Sequence, residues 1–246
     1  MGRLEGKRVL VVGASSGIGR AIAVAAADEG AQLAVAARRE EALEKLAAEL
    51  GGRALSMRLD VCDEASCSEG VSRAVEQLGG LDGLVFAVGV AYMHKLSEVD
   101  ASAWSRIFSS NVTGAALVAN AAIPHLEASR GRAIFLSSIS ADDFPPRSAL
   151  GPYMVSKAAL NKLVEVLQTE HKAVSFTRVS VGDTMPTDFA SDWDMAAAGE
   201  VVREWGEQGL MFGRAMQPES VAAHVADLLA ARESVAVTRI VPHYEI

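Results

Sequence analysis

Short apolar runs alternate with longer amphipathic stretches from one end of the chain to the other, the pattern of a parallel sheet covered by helices on both faces. Seven runs read as strands: Arg8–Val12, Gln32–Ala37, Ala54–Leu59, Gly83–Val88, Ala133–Leu136, Val174–Val181 and Ala236–Val241. Helical patterns lie between them, among them Ile18–Glu29, Glu40–Leu50 and Gln217–Ala231, the last with Pro218 in its first turn, where no N–H is missed. No repeat, low-complexity tract or linker breaks the alternation, which predicts one α/β domain over residues 1–246. One region departs from it. Between Thr187 and Met216, Trp193, Met195, Trp205, Met211 and Phe212 stand among acids and glycines. Adaptable Met and flat Trp suit the cover of an apolar ligand, so a substrate lid is expected over 187–216, with helix packing or a subunit contact as the plainer reading.

Composition narrows the partners. Lys plus Arg number 23 against 31 Asp plus Glu, a formal net charge of −8, and no basic run tracks a phosphate backbone, so nucleic acid is not expected. Cys62 and Cys67 cannot make a disulfide framework and read as ordinary thiols. His94, His125, His171, His224 and His243 form no helical i, i+4 pair, and no metal site is expected. The first residues lead straight into a strand, and no apolar run approaches the ~20 residues that cross a bilayer. The expectation is a cytoplasmic protein without a membrane partner.

The first strand feeds a glycine-punctuated turn, Gly13-Ala-Ser-Ser-Gly17-Ile-Gly19, and then an Ala-rich helix. Backbone amides at such a helix start, with its positive dipole end, suit a pyrophosphate that side chains would block. The spacing is Gly-x-x-x-Gly-x-Gly, and a tight turn also needs glycine for structural reasons. An NAD site would carry an acid at the end of the second strand for the ribose 2′-hydroxyl; here Ala37 is followed by Arg38 and Arg39. Guanidiniums suit a 2′-phosphate, so NADP(H) is expected over NAD(H), with Arg38 ahead of Arg39 and solvated helix-start charges as the alternative. Asp60, after the third strand, is placed to accept from an adenine amino group or to start the next helix.

Tyr153 and Lys157 are four apart in Tyr-Met-Val-Ser-Lys, so on a helix they share a face and the ammonium can favour ionisation of the phenol. Ser138 closes the strand before them through Leu-Ser-Ser, and Asn111 lies further upstream in Asn-Val-Thr-Gly.

Taken in order, Gly13/Gly17/Gly19, Asp60, Asn111-Val-Thr-Gly, Ser138 and Tyr153 with Lys157 resemble the short-chain dehydrogenase/reductase family over essentially the whole chain. The resemblance implies a single-domain Rossmann fold with a doubly wound seven-stranded parallel sheet, and a catalytic tetrad of Asn111, Ser138, Tyr153 and Lys157. Tyr153 would be the acid/base, Lys157 would stabilise its phenolate and hold ribose hydroxyls, Ser138 would donate to the substrate oxygen, and Asn111 would anchor a water. The cofactor site would comprise Gly13, Ser15, Ser16, Gly17, Ile18, Gly19, Arg38, Arg39, Asp60, Val61, Ala87, Gly89 and Thr184 beside Tyr153 and Lys157. Phe144, Tyr92 and Met93, with Ser138 and Tyr153, would face the substrate.

The chain also departs from the family pattern. Phe86-Ala87-Val88-Gly89 stands for Asn-Asn-Ala-Gly, Val12 for a Thr, Val181-Gly182 for Pro-Gly, and Ser16 for a basic residue. Fifteen residues separate Ser138 from Tyr153, about two more than usual, which leaves Ser140 as the fallback serine. The reading is an NADP(H)-dependent enzyme that interconverts a carbonyl and an alcohol on an apolar small molecule, assembled as a homo-oligomer, tetramer or dimer. The alternatives are a non-catalytic dinucleotide sensor and a redox-neutral epimerase or dehydratase.

Overall fold

A computed structural model describes residues 2–142, 145–188, 193, 195–211 and 213–242. In chain order its elements are β1 (Arg8–Val12), α1 (Gly17–Asp28), β2 (Gln32–Ala37), α2 (Glu40–Glu49), β3 (Ala54–Arg58), α3 (Glu64–Leu78) and β4 (Gly83–Phe86). Then follow α4 (Ala101–Phe108), α5 (Gly114–Ser129), β5 (Arg132–Ser138), α6 (Gly151–Glu170), β6 (Ser175–Val181), α7 (Met195–Glu207), α8 (Pro218–Ala230) and β7 (Val237–Ile240). The seven strands form one sheet in the order β3-β2-β1-β4-β5-β6-β7, and all six pairings between neighbours are parallel.

The unbroken apolar strands follow from burial on both sides. Val9 and Val11 of β1 pack with Leu33 and Val35 of β2 against α1, α2 and α8, whereas Leu10 and Val12 pack with Ala34 and Ala36 against α3, α5 and α6. With period-2 alternation, each face therefore takes every second residue, and from Val9 to Val12 and from Leu33 to Ala37 no polar position is left. Where the family pattern has an amide bridging strands, Phe86 is fully buried and its ring lies 6.0 Å from that of Phe135, which in turn stacks on Phe176 at 6.5 Å. An aromatic file across β4, β5 and β6 thus replaces a hydrogen bond.

The strand order reverses between β1 and β4, so the crevice of this sheet opens at the carboxyl ends of those strands. From Ala101 to Ser129 the chain is helical throughout, and this stretch is long and apolar enough by length and composition to cross a bilayer. That corrects the expectation that no run approaches such a length; half of its apolar window is buried inside the fold, the behaviour of a core helix. Between α4 and α5 the stretch passes through a π-helical turn, Ser109–Thr113, which puts an extra residue into the helix and turns Asn111 inward.

Candidate active site

The glycine turn is closed by main chain packed on main chain. Gly13 has φ +92°, and Gly19 sits so near it that a Cβ there would lie 2.2 Å from the Gly13 carbonyl oxygen. Ser16 caps α1 in extended conformation without a side-chain capping bond, so the first N–H groups of the helix are not taken by it. A side-chain-free turn beneath an open helix N-terminus fits the pyrophosphate of a dinucleotide.

Arg39 crosses this turn. Its guanidinium donates to Ser15 Oγ at 3.0 Å, to Ser16 Oγ at 2.6 Å and to Asp188 Oδ2 at 2.7 Å, while Arg38 is exposed. Arg39 is the N-cap residue of α2, and the chain has turned by that point so that its side chain reaches back over the glycines. Asp60 Oδ1 accepts from Cys62 N at 3.0 Å and Asp63 caps α3 through Ser66 N, so Asp60 shapes the turn before α3. Val61 is buried against Gly114, Ala87 donates to the Val12 carbonyl, Ile18 packs on the core, and Thr184 Oγ1 donates to the Gly182 carbonyl. Thr187, which sequence reasoning missed, lies over the turn, 3.3 Å from where a Gly17 Cβ would be.

On α6, Tyr153, Ser156, Lys157, Leu160 and Asn161 form the buried face, the i, i+3, i+4 stripe of the helix. Lys157 Nζ donates to the carbonyls of Leu136 at 2.9 Å and Val88 at 3.3 Å, and stands 5.8 Å from the centroid of the Tyr153 ring. A Cβ on Gly89 would come within 3.6 Å of that ammonium. Burial without a carboxylate partner pushes the Lys157 pKa down to about 8. Burial pushes Tyr153 up to about 12, while a hydrogen bond with Ser138 and the positive charge of Arg147 pull the other way.

Ser138, rather than Ser140, meets Tyr153; Ser140 stands behind it with its hydroxyl 2.8 Å from that of Ser138 and its N–H on the same oxygen. Asn111 is fully buried. Its Oδ1 accepts from Val90 N, and its Nδ2 donates to the Val90 carbonyl and to Ser156 Oγ, each at 2.9 Å. The side chain thus forms a strut between the segment after β4 and α6.

The cover over Tyr153 is apolar. Tyr153 clusters with Ala91, Leu150 and Trp205, and Met93, Met154, Trp193, Leu210 and Met211 pack around them. Trp193 Nε1 donates to the Ala91 carbonyl and Trp205 Nε1 to that of Ser148. The segment that carries these residues begins and ends at one place: Thr184 bridges Met216, with Met185 N on the Met216 carbonyl and Met216 N on that of Asp183. Of the two residues expected to face the substrate after Gly89, Tyr92 has its ring 5.3 Å beneath the Arg106 guanidinium and Met93 packs with the Tyr153 cluster. Phe144 and Phe212 lie outside the described residues. The loop between Ser138 and Tyr153 takes up its extra length in a 3₁₀ turn, Ile139–Ala141, and around a buried Arg147; its unusual length was the one signal pointing there.

The whole arrangement has counterparts. Residues 7–198 match the family described as short chain dehydrogenase. The chain is 35% identical over 237 residues to an uncharacterized oxidoreductase of Methylorubrum extorquens, covering 93% of this chain and 92% of that protein. It is 32% identical over 245 residues to the glycine betaine reductase of Emericella nidulans, covering 97% of this chain but only 19% of that much longer protein. Among solved structures it superposes with a TM-score of 0.81 and 27% identity on an alcohol dehydrogenase from Thermococcus sibiricus complexed with 5-hydroxy-NADP, covering 97% of this chain and 96% of that one. Fold and sequence agree, and the chain belongs to the short-chain dehydrogenase/reductase family of oxidoreductases.

Proposed function

We propose that the protein is an NADP(H)-preferring reductase or dehydrogenase that interconverts a ketone or aldehyde and an alcohol on an apolar small molecule, with Tyr153 as its acid/base. The observation that carries this reading is a Tyr153 hydroxyl bonded to Ser138, one helical turn from a buried ammonium, beneath a cover of Met, Leu and Trp. When bound, the nicotinamide supplies or accepts the hydride. With its pKa pushed up to about 12, Tyr153 is held as a neutral phenol and suits proton donation to a carbonyl oxygen. Ser138 can donate to the same oxygen as charge develops on it. Lys157 has three donors, two of them directed at backbone carbonyls among the described residues, which leaves one for a ribose hydroxyl. Asn111 keeps α6 in place against the end of β4.

The preference for NADP(H) is supported by the absence of an acid after β2 and by Arg39 beside the hydroxyls of Ser15 and Ser16, a donor set suited to a phosphate. The solved relative that contains an NADP derivative is in keeping with it. Residues 187–216 act as the lid, and the homo-oligomer is supported by Val155 and Val166, which α6 exposes to solvent at 49% and 42%.

The test is NADPH oxidation across a panel of ketones and aldehydes, with NADH and a Tyr153→Phe variant in parallel. Turnover that disappears in the variant supports the reading, and the NADPH to NADH ratio measures the preference. NADPH binding without turnover on a broad panel would overturn it in favour of a sensor or a redox-neutral enzyme.

A further inference from the structure

Arg147 is the charged residue that the chemistry so far leaves unused. It lies in the long loop between Ser138 and Tyr153, 5% exposed, and its guanidinium donates to Asp183 Oδ1 at 2.6 Å and to the Leu210 carbonyl at 2.8 Å. Its Cζ lies 5.5 Å over the ring of Trp205, which belongs to the apolar cluster around Tyr153. One side chain therefore joins the catalytic loop, the segment after β6, and both the helix and the far arm of the lid. A buried guanidinium is an expensive strut for mere packing, because desolvating a charge costs several kcal/mol where an apolar side chain would cost none.

The geometry points to Arg147 and Asp183 as a positioning pair for Tyr153: a fixed cation on the catalytic loop, held against its own carboxylate, that locks the lid to the loop and sets the charge felt by the Tyr153 hydroxyl. Among the described residues, the elements packed around Tyr153 carry the following charged groups. From its own helix comes Lys157, from the loop Arg147, from the segment after β6 Asp183, and from α7 Glu204, which is engaged with Ser148 Oγ. From the segment after β4 comes the exposed His94, whose N–H meets the Ala149 carbonyl. Two of these cations bear on Tyr153: Arg147, which keeps its charge throughout the working range, and Lys157, 5.8 Å from the centroid of its ring, which can lose its proton near pH 8. Arg147 thus gives Tyr153 a constant positive neighbour, offset in part by Asp183, where Lys157 gives a conditional one.

The inference rests on Tyr153 as the acid/base, and its test uses opposite signs. Arg147→Gln and Asp183→Asn break the same ion pair and loosen the lid alike, but the first leaves an anion and the second a cation. The alkaline limb of alcohol oxidation, which rises as Tyr153 ionises, should move to higher pH in Arg147→Gln and to lower pH in Asp183→Asn, the two separating by about one unit. Arg147→Lys, which keeps the charge but loses the fork, should keep the wild-type limb while losing thermal stability. Shifts in the same direction, or none, in folded variants overturn the proposal. Should Arg147→Gln fail to fold, the sign of the Asp183→Asn shift decides alone. A fluorine NMR titration of fluorotyrosine-labelled protein, with the Tyr153 resonance identified by its loss in Tyr153→Phe, reads the same signs without any substrate. Opposite shifts there in a protein that turns nothing over would uphold the pair and overturn the proposed activity, so the two readings fail separately.

Discussion

The turn between β1 and α1 and the loop between β5 and α6 do comparable work, each placing a helix N-terminus beside the crevice, but they are built from opposite materials. The first is main chain against main chain: Gly13 at φ +92° and Gly19 against the Gly13 carbonyl leave no room even for a methyl group. The second is held by side chains, with Arg147 on Asp183 and Trp205 on Ser148. A site that receives a constant ligand can be fixed by backbone, whose geometry admits few solutions. A site that receives a variable one is set by side chains, which can change without altering the chain path.

The sharpest break between the two comes from Tyr153→Phe. Turnover should fall by about 10³-fold with NADPH affinity and melting temperature little changed, as kinetics, titration and calorimetry would show. On the other side, Gly19→Ala should destabilise the protein by about 1–3 kcal/mol and weaken both NADPH and NADH about tenfold, because the added methyl displaces the turn itself; denaturant unfolding and fluorescence titration measure the two. Arg39→Ala separates shape from charge within that region: NADPH should bind about tenfold less tightly and NADH unchanged.

Lys157→Met tests the other region through pH. With its folded pKa at about 8 against 10.5 unfolded, Lys157 is charged in both states below pH 8, where the wild type bears the full penalty of a buried ammonium. Between those values the folded state releases its proton first, so wild-type stability rises with pH while the variant, inactive, lacks that gain. Melting curves from pH 7 to about 10 should show the variant's relative advantage shrinking by a few kcal/mol at most. The smallest effect is expected from Asp188→Asn, which frees Arg39 from an exposed ion pair and should tighten NADPH about twofold to fivefold. An unchanged affinity would show that Asp188 does not compete with the cofactor for Arg39.

The backbone-built region was the more legible in the sequence. Apolar runs gave β1 and β2 to the residue, since strands buried on both faces leave no polar position to blur their ends. β4 proved shorter than its pattern, ending at Phe86, because Ala87 to Gly89 leave the sheet to line the crevice. Tyr153 and Lys157 were legible because helical spacing alone puts them on one face. The contacts of Arg39 with Ser15 and Ser16 and the burial of Arg147 were not, as each depends on where the chain points after an element ends, which residue type does not encode. The π-helical turn left no mark either, since Ser109–Thr113 continues the pattern of α4 and α5.

The bonds that tie Asp183, Thr184 and Met185 to Met216 give the segment between them a common doorway, so that chain leaving the sheet there returns to within one hydrogen bond of its departure. A segment stitched at its base is a cassette. Its length can change with an entropic penalty of only about 0.6 kcal/mol per doubling, and its sequence can be exchanged without shifting β6 or α8. Relatives could therefore acquire new substrates by grafting at this point while inheriting the rest of the molecule intact.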